Sequence, residues 1–146
     1  MYHIPTVKVQ LVRDGSISAE DRPVIRSADS VASIMEPIVS LLAEEHFYVL
    51  LLNTKNRFNG IHEVSVGSLN ATVVHPREIF KAAILSNSAA VILVHNHPSG
   101  DPTPSPEDCH LTEQIAKAGK VLDIPVLDHV IMGDHRYASL KEKGVL

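Results

Sequence analysis

Lysine and arginine are too few and too scattered in this chain to build a nucleic-acid surface. Thirteen of them stand against 17 aspartates and glutamates, a formal net charge of −4, and the pI is about 6.1. The densest basic grouping, Lys141 and Lys143, is interrupted by Glu142. Binding to a phosphate backbone needs clustered cations, so nucleic-acid association should be weak and nonspecific unless a homodimer builds a basic groove from two copies. Cysteine is almost missing as well. Cys109 stands alone, which excludes an internal disulfide and suits a reducing compartment; its expected role is packing. No apolar run is long enough for a bilayer, and the mixed start Tyr2-His3-Ile4-Pro5 is not a basic-then-apolar signal. A cytoplasmic protein without membrane contact is expected.

What is present reads as one compact unit. With 146 residues and 45% hydrophobic content, the chain can bury a sizeable core within the usual single-domain range. Thr6 to Val12 alternates as an edge strand, followed by a turn at Asp14-Gly15; residues 1–26 form this strand and a lead-in. Ser27 or Asp29 can cap a helix carrying Val31, Ile34, Ile38, Val39 and Leu42, with Pro37 as a kink. His46 to Leu52 is an apolar strand, Asn59-Gly60 signals a hairpin turn, and Ile61 to Val66 with Ala71 to Val74 continue as strand. Pro76 opens a helix that turns Ile79, Phe80, Ala83 and Ile84 to the core. Ile124 to Met132 and Tyr137 to Leu140 complete the sheet. The order predicts an α/β fold, a mixed β-sheet packed with helices. Ligand sites in such layered folds gather at strand ends.

One strand end carries metal-ligand chemistry. The run Ala89-Ala90-Val91-Ile92-Leu93-Val94 reads as a strand buried on both faces, and His95-Asn96-His97 follow at its C-terminal end. Residues i and i+2 of a strand share a face about 6.6 Å apart, so both imidazoles can reach one ion, with Asn96 turned away. Beyond Pro98-Ser99-Gly100, Ser105 reads as a helix N-cap, Pro106 as N1 and Asp108 as N3. Asp108 shares an inward stripe with Leu111, Ile115, Ala118 and Leu122. A carboxylate facing a sheet needs a cation or several donors, and a metal held by His95 and His97 supplies one.

Each piece has an ordinary structural reading: a capping pair, strand-end histidines, a proline turn. The three together favour a metal site. Zinc on two histidines and one carboxylate keeps a coordination position open and brings the pKa of water toward about 7, which points to hydrolysis. A proton acceptor is also needed. Glu36, Glu44, Glu45, Glu63 and Glu78 all compete for that role, and spacing does not choose among them. A metal-dependent nuclease would be expected to add carboxylates for a second ion. A zinc deaminase would need H-x-E followed by P-C-x-x-C, and neither is present.

His95-Asn96-His97-Pro98, Ser105 and Asp108 together resemble the H-x-H-x(7)-S-x(2)-D core of the JAMM metallopeptidases, the catalytic form of the MPN or JAB domain. HNHPSGDPTPSPED from His95 to Asp108 is more narrowly similar to the RadC branch, as are Val74-His75-Pro76-Arg77-Glu78 and Leu127-Asp128-His129-Val130-Ile131. The similarity runs from about Ser27 to the C-terminus. It implies a JAB/MPN, cytidine-deaminase-like architecture and one zinc ion on His95, His97 and Asp108. By the same resemblance Glu45, directly before His46-Phe47-Tyr48-Val49-Leu50, is the catalytic carboxylate, with Glu44 as the fallback in the last helical turn. Ser105 is similar to the serine that hydrogen-bonds the oxyanion. The implied activity is cleavage of a peptide or isopeptide bond in a peptide or protein substrate. The rival readings are a DNA-repair-associated protein and a noncatalytic MPN scaffold, although scaffolds usually lack the full ligand set. Longer RadC proteins are expected to carry an N-terminal helix-hairpin-helix region, for which this chain has no room. Among the other histidines, His75, His110 and His129 are expected to be structural. Asp128-His129, as part of the RadC-like pattern, could also support the ligands. His3, His46, His62 and His135 receive no role.

Overall fold

The computed structural model describes residues 1–18, 23–67 and 74–146. Helix α1 (Ala28–Val39) starts at Ser27, whose hydroxyl accepts from the Ser30 amide while the Ser30 hydroxyl accepts from the Ser27 amide. Pro37 lies inside it and removes one amide donor, and the helix ends two residues later. Glu44 therefore belongs to the bend beyond α1 rather than to its last turn. Strands β1 (His46–Leu52) and β2 (Phe58–Val66) pair antiparallel. Asn59 and Gly60 lie within β2 instead of at its turn. The turn is built at 53–57, where the Asn53 side chain accepts from the amides of Lys55 and Arg57 and Asn56 takes a positive φ of 56°. An asparagine that bonds its own downstream backbone makes a turn without Gly. Asn59 instead donates to Ser86 and Ser88.

Helix α2 (Pro76–Leu85), strand β3 (Ala90–Asn96), helix α3 (Pro106–Leu122) and strands β4 (Val126–Met132) and β5 (Tyr137–Ser139) follow. The five strands stand in the order β2-β1-β3-β4-β5, with only β3 and β4 parallel. A parallel pair needs a long crossover, which α3 provides. Even-numbered residues of β1, β3 and β4, such as Leu50, Val94 and Val130, pack on α1; Val49, Val91 and Leu93 pack on α2 and α3. The fold is thus a mixed α/β sandwich, with α1 on one face of the sheet and α2 and α3 on the other.

Several local expectations give way to context. Thr6 to Val12 forms no strand and Asp14-Gly15 no turn. Alternation alone does not supply a ladder partner, and Val7, Val9 and Val12 are exposed. Ala71 to Val73 lie outside the described residues, and Val74 is buried but outside any strand. Ile84 and Leu122 point outward. Cys109 packs against Ile131, Ala138 and Leu140. Among the described residues, no helix is long and apolar enough to cross a membrane.

Candidate metal centre

The period-two geometry of β3 carries the Val91 and Leu93 face on to His95 and then His97, toward α3. The ring of His95 is fully buried and stacks on Phe47 at 5.7 Å. From α3, Ser105 and Asp108 cap reciprocally: the Ser105 hydroxyl accepts from the Asp108 amide at 3.0 Å, and the Asp108 Oδ2 accepts from the Ser105 amide at 2.9 Å. This capping box fixes the carboxylate where the strand ends. His95 Nε2 lies 3.3 Å from Asp108 Oδ1, His97 Nε2 lies 3.2 Å from Asp108 Oδ2, and the two Nε2 atoms are 3.0 Å apart. Among the described residues, these three form the group whose ligand atoms lie within 4.8 Å of one another.

The protons on the far sides of the rings decide what this convergence can do. His97 Nδ1 faces the Asp101 carbonyl at 2.8 Å, and a carbonyl only accepts, so Nδ1 carries the proton and the neutral ring offers a lone pair at Nε2. His95 Nδ1 meets His129 Nε2 at 2.7 Å. With a proton in that contact supplied by His95, its Nε2 is also a lone pair. Two lone pairs and a carboxylate at these distances repel unless a cation or a proton lies among them. The donor set of two imidazoles and one carboxylate fits a zinc-type ion.

The titration behaviour fits the same geometry. Burial pushes the Asp108 carboxyl upward, but the closeness of His95 and His97, with a proton lying among the three groups, outweighs it and holds the group well below the usual carboxylate range. The hydrogen bond to Asp108 raises the His97 pKa against the opposing effect of burial, helped by the Asp101 carbonyl and by the charges of Asp108 and Glu45. Burial holds His129 well below the usual histidine value.

Glu45 comes to the site through strand pairing. The antiparallel β1–β3 ladder ends with Phe47 opposite His95, two residues after Glu45, and the Glu45 charge acts on His97. Glu45 is half-buried, whereas Glu44 is exposed. Asn96, turned from the histidine face as expected, accepts from the His46 amide at 2.7 Å and donates to the Glu44 carbonyl at 3.0 Å, gripping both neighbours of Glu45. Ser105 is half-buried at the α3 N-cap.

Three contributors were not singled out by sequence reasoning. Asp101 orients His97 through its carbonyl. Thr112 touches His129. Gly133 allows the β4–β5 turn to lie against Gly100 and Pro102. His129 does reach the site, through His95, whereas Asp128 faces away and accepts from the His129 and Lys141 amides and the Ser139 hydroxyl.

Comparison with known proteins gives a consistent result. UPF0758 protein from Desulfitobacterium hafniense (strain DSM 10664 / DCB-2) is 56% identical over 125 residues, 86% of this chain and 55% of the relative. UPF0758 protein from Methanococcoides burtonii is 51% identical over 138 residues, 94% of this chain and 60% of the relative. The chain thus spans little more than half the length of these curated relatives. Residues 25–145 match the RadC-like JAB domain, and the chain belongs to that family.

Proposed function

We propose that this chain is a metal-dependent hydrolase that holds one zinc ion on His95, His97 and Asp108 and cleaves a peptide or isopeptide bond in a peptide or protein substrate. The supporting observation is the geometry of the two rings: each meets another partner at Nδ1, His129 for His95 and the Asp101 carbonyl for His97, and turns Nε2 toward a buried carboxylate. Three protein ligands leave a zinc position open for chemistry. Zinc bound there supplies Lewis acidity toward a carbonyl oxygen and makes water acidic enough to lose a proton near neutral pH.

The rest falls to the chain's own groups. Glu45, at the mouth of β1, accepts the proton of the attacking water and returns it to the leaving amine. Its carbonyl is tied to the Gly67 amide at 2.7 Å, which holds the backbone at the mouth of β1. The Ser105 oxygen accepts one cap bond and keeps its own proton for the substrate oxygen as that becomes negative. Phe47 closes the back of the site against water. The lone Cys109 suits a cytoplasmic setting.

Elemental analysis of the purified protein, followed by assays on peptide, isopeptide-linked and oligonucleotide substrates, tests the reading. One zinc per chain and amide cleavage abolished by a chelator are expected. Full metal occupancy in the His95→Ala/His97→Ala double variant overturns the site. Absence of cleavage of every amide by zinc-loaded protein overturns the hydrolase.

A further inference from the structure

We infer that Thr112 and His129 are positioning residues that set the tautomer of His95 and so select its Nε2 as the ligand atom; this rests on the metal reading above. The Thr112 hydroxyl lies 2.6 Å from the Asp108 backbone carbonyl and 2.6 Å from His129 Nδ1. Contacts this short each need a proton. The carbonyl has none to give, so the hydroxyl proton points to Asp108 and the proton of the second contact belongs to His129 Nδ1. His129 Nε2 is then an acceptor, and at 2.7 Å it takes the Nδ1–H of His95. The His95 lone pair is thereby left on Nε2, facing His97 and Asp108.

The relay begins on the backbone of the residue whose carboxylate closes the site, so the first turn of α3 supplies both a ligand and the anchor for its partner. His95, Thr112 and His129 are fully buried, and Phe47 lies edge-on to His129 at 5.4 Å. Solvent is therefore excluded as a competing partner. A metal histidine usually gives its second N–H to a carboxylate, a carbonyl or water. The adjacent carboxylate, Asp128, is on the opposite face and committed to Ser139 and two amides, so an imidazole ending in a threonine takes that place. Reversing the relay would put a proton on His95 Nε2 and block the ligand position.

The direct test is long-range ¹H–¹⁵N correlation on metal-free, ¹⁵N-histidine-labelled protein, where His95 and His129 should both appear with the proton on Nδ1. Thr112→Val keeps the shape but removes the acceptor for His129, and zinc affinity by chelator competition should fall about 10–100-fold. Thr112→Ser should restore most of it. Metal-free thermal unfolding separates this from a general loss of structure. A proton on His95 Nε2 in the wild type, or unchanged zinc affinity in Thr112→Val, overturns the relay. If Thr112→Val does not fold, the wild-type tautomers still decide. A wild type with the expected tautomers that takes up no zinc overturns the metal reading and the ligand role, leaving the relay itself standing.

Discussion

Asn96 grips the chain on both sides of Glu45, its side chain accepting from the His46 amide at 2.7 Å and donating to the Glu44 carbonyl. The residue between the two histidines therefore has its own task, fixing where β1 begins. Glu45→Gln should keep zinc and fold while hydrolysis falls by about 10²–10⁴, the usual loss for a missing general base. Glu44→Gln should turn over normally, because Glu44 is exposed. Loss of zinc in Glu45→Gln would make Glu45 a ligand instead. Asn96→Leu should retain zinc but slow hydrolysis by up to about 10²-fold, since small misplacements of a catalytic group are costly. Zinc content and single-turnover rates measured on the same samples check all three.

Ser105 has two duties that different substitutions separate. Ser105→Ala removes the N-cap acceptor and should cost about 1 kcal/mol of stability, whereas glycine at an N-cap costs only a few tenths. Both variants lack the hydroxyl proton proposed for the oxyanion. Activity should therefore fall in both, while thermal unfolding shifts clearly only in Ser105→Ala. Wild-type turnover in Ser105→Gly would reduce Ser105 to a cap.

The loop between β3 and α3 is held by packing that leaves no spare room. A Cβ at Gly133 would lie 2.4 Å from the Gly100 carbonyl oxygen and 2.7 Å from the Pro102 ring, while Asp134 and Arg136 both donate to that same carbonyl. The next residue, Asp101, orients His97. Gly133→Ala should destabilise by about 1–3 kcal/mol, as overpacking does, and weaken zinc binding along with it. Chemical denaturation and chelator competition measure the two effects. Unchanged zinc affinity would show that the loop can move without taking His97 with it.

The parts of the site that were legible in the sequence are those a local period can place. His95 and His97 follow from the alternation of one buried strand, and Asp108 from its N3 position after a capping serine. Glu45 was not fixed by spacing, because only the antiparallel pairing of β1 with β3 brings it near His97; family resemblance supplied it. Thr112 was illegible for the same reason, and His129 was marked as a support for the ligands only through the RadC-like pattern: their role depends on β3–β4 pairing and on which ring nitrogen holds a proton. The Asn59-Gly60 expectation failed because the Asn53 side chain builds the turn at 53–57, and the Thr6 to Val12 expectation failed because alternation does not create a neighbouring strand.

Metal-free protein should show opposing pH effects at the site. The His97 pKa is raised mainly by its hydrogen bond to Asp108, so its contribution is complete below about 6.5, the unfolded value, and is lost as pH rises through the folded value. Asp108, held low by His95 and His97 against burial, contributes above about 3.9 and loses that contribution as pH falls through its folded value. Their joint stabilisation is therefore greatest between about pH 4 and 6.5. His129 acts the other way, because burial depresses its pKa and the unfolded chain gains a proton that the folded one refuses, lowering stability as pH falls through about 6.5. The wild-type profile mixes these terms, so the informative quantity is the difference from His97→Gln without metal. That difference should shrink as pH rises above about 6.5, while the stabilisation gained on adding zinc grows over the same range as the competing proton leaves. Thermal unfolding from pH 5 to 8, with chelator and then with excess zinc, measures both. A wild-type advantage that does not change with pH would remove the His97–Asp108 pair as the source of the metal-free stability.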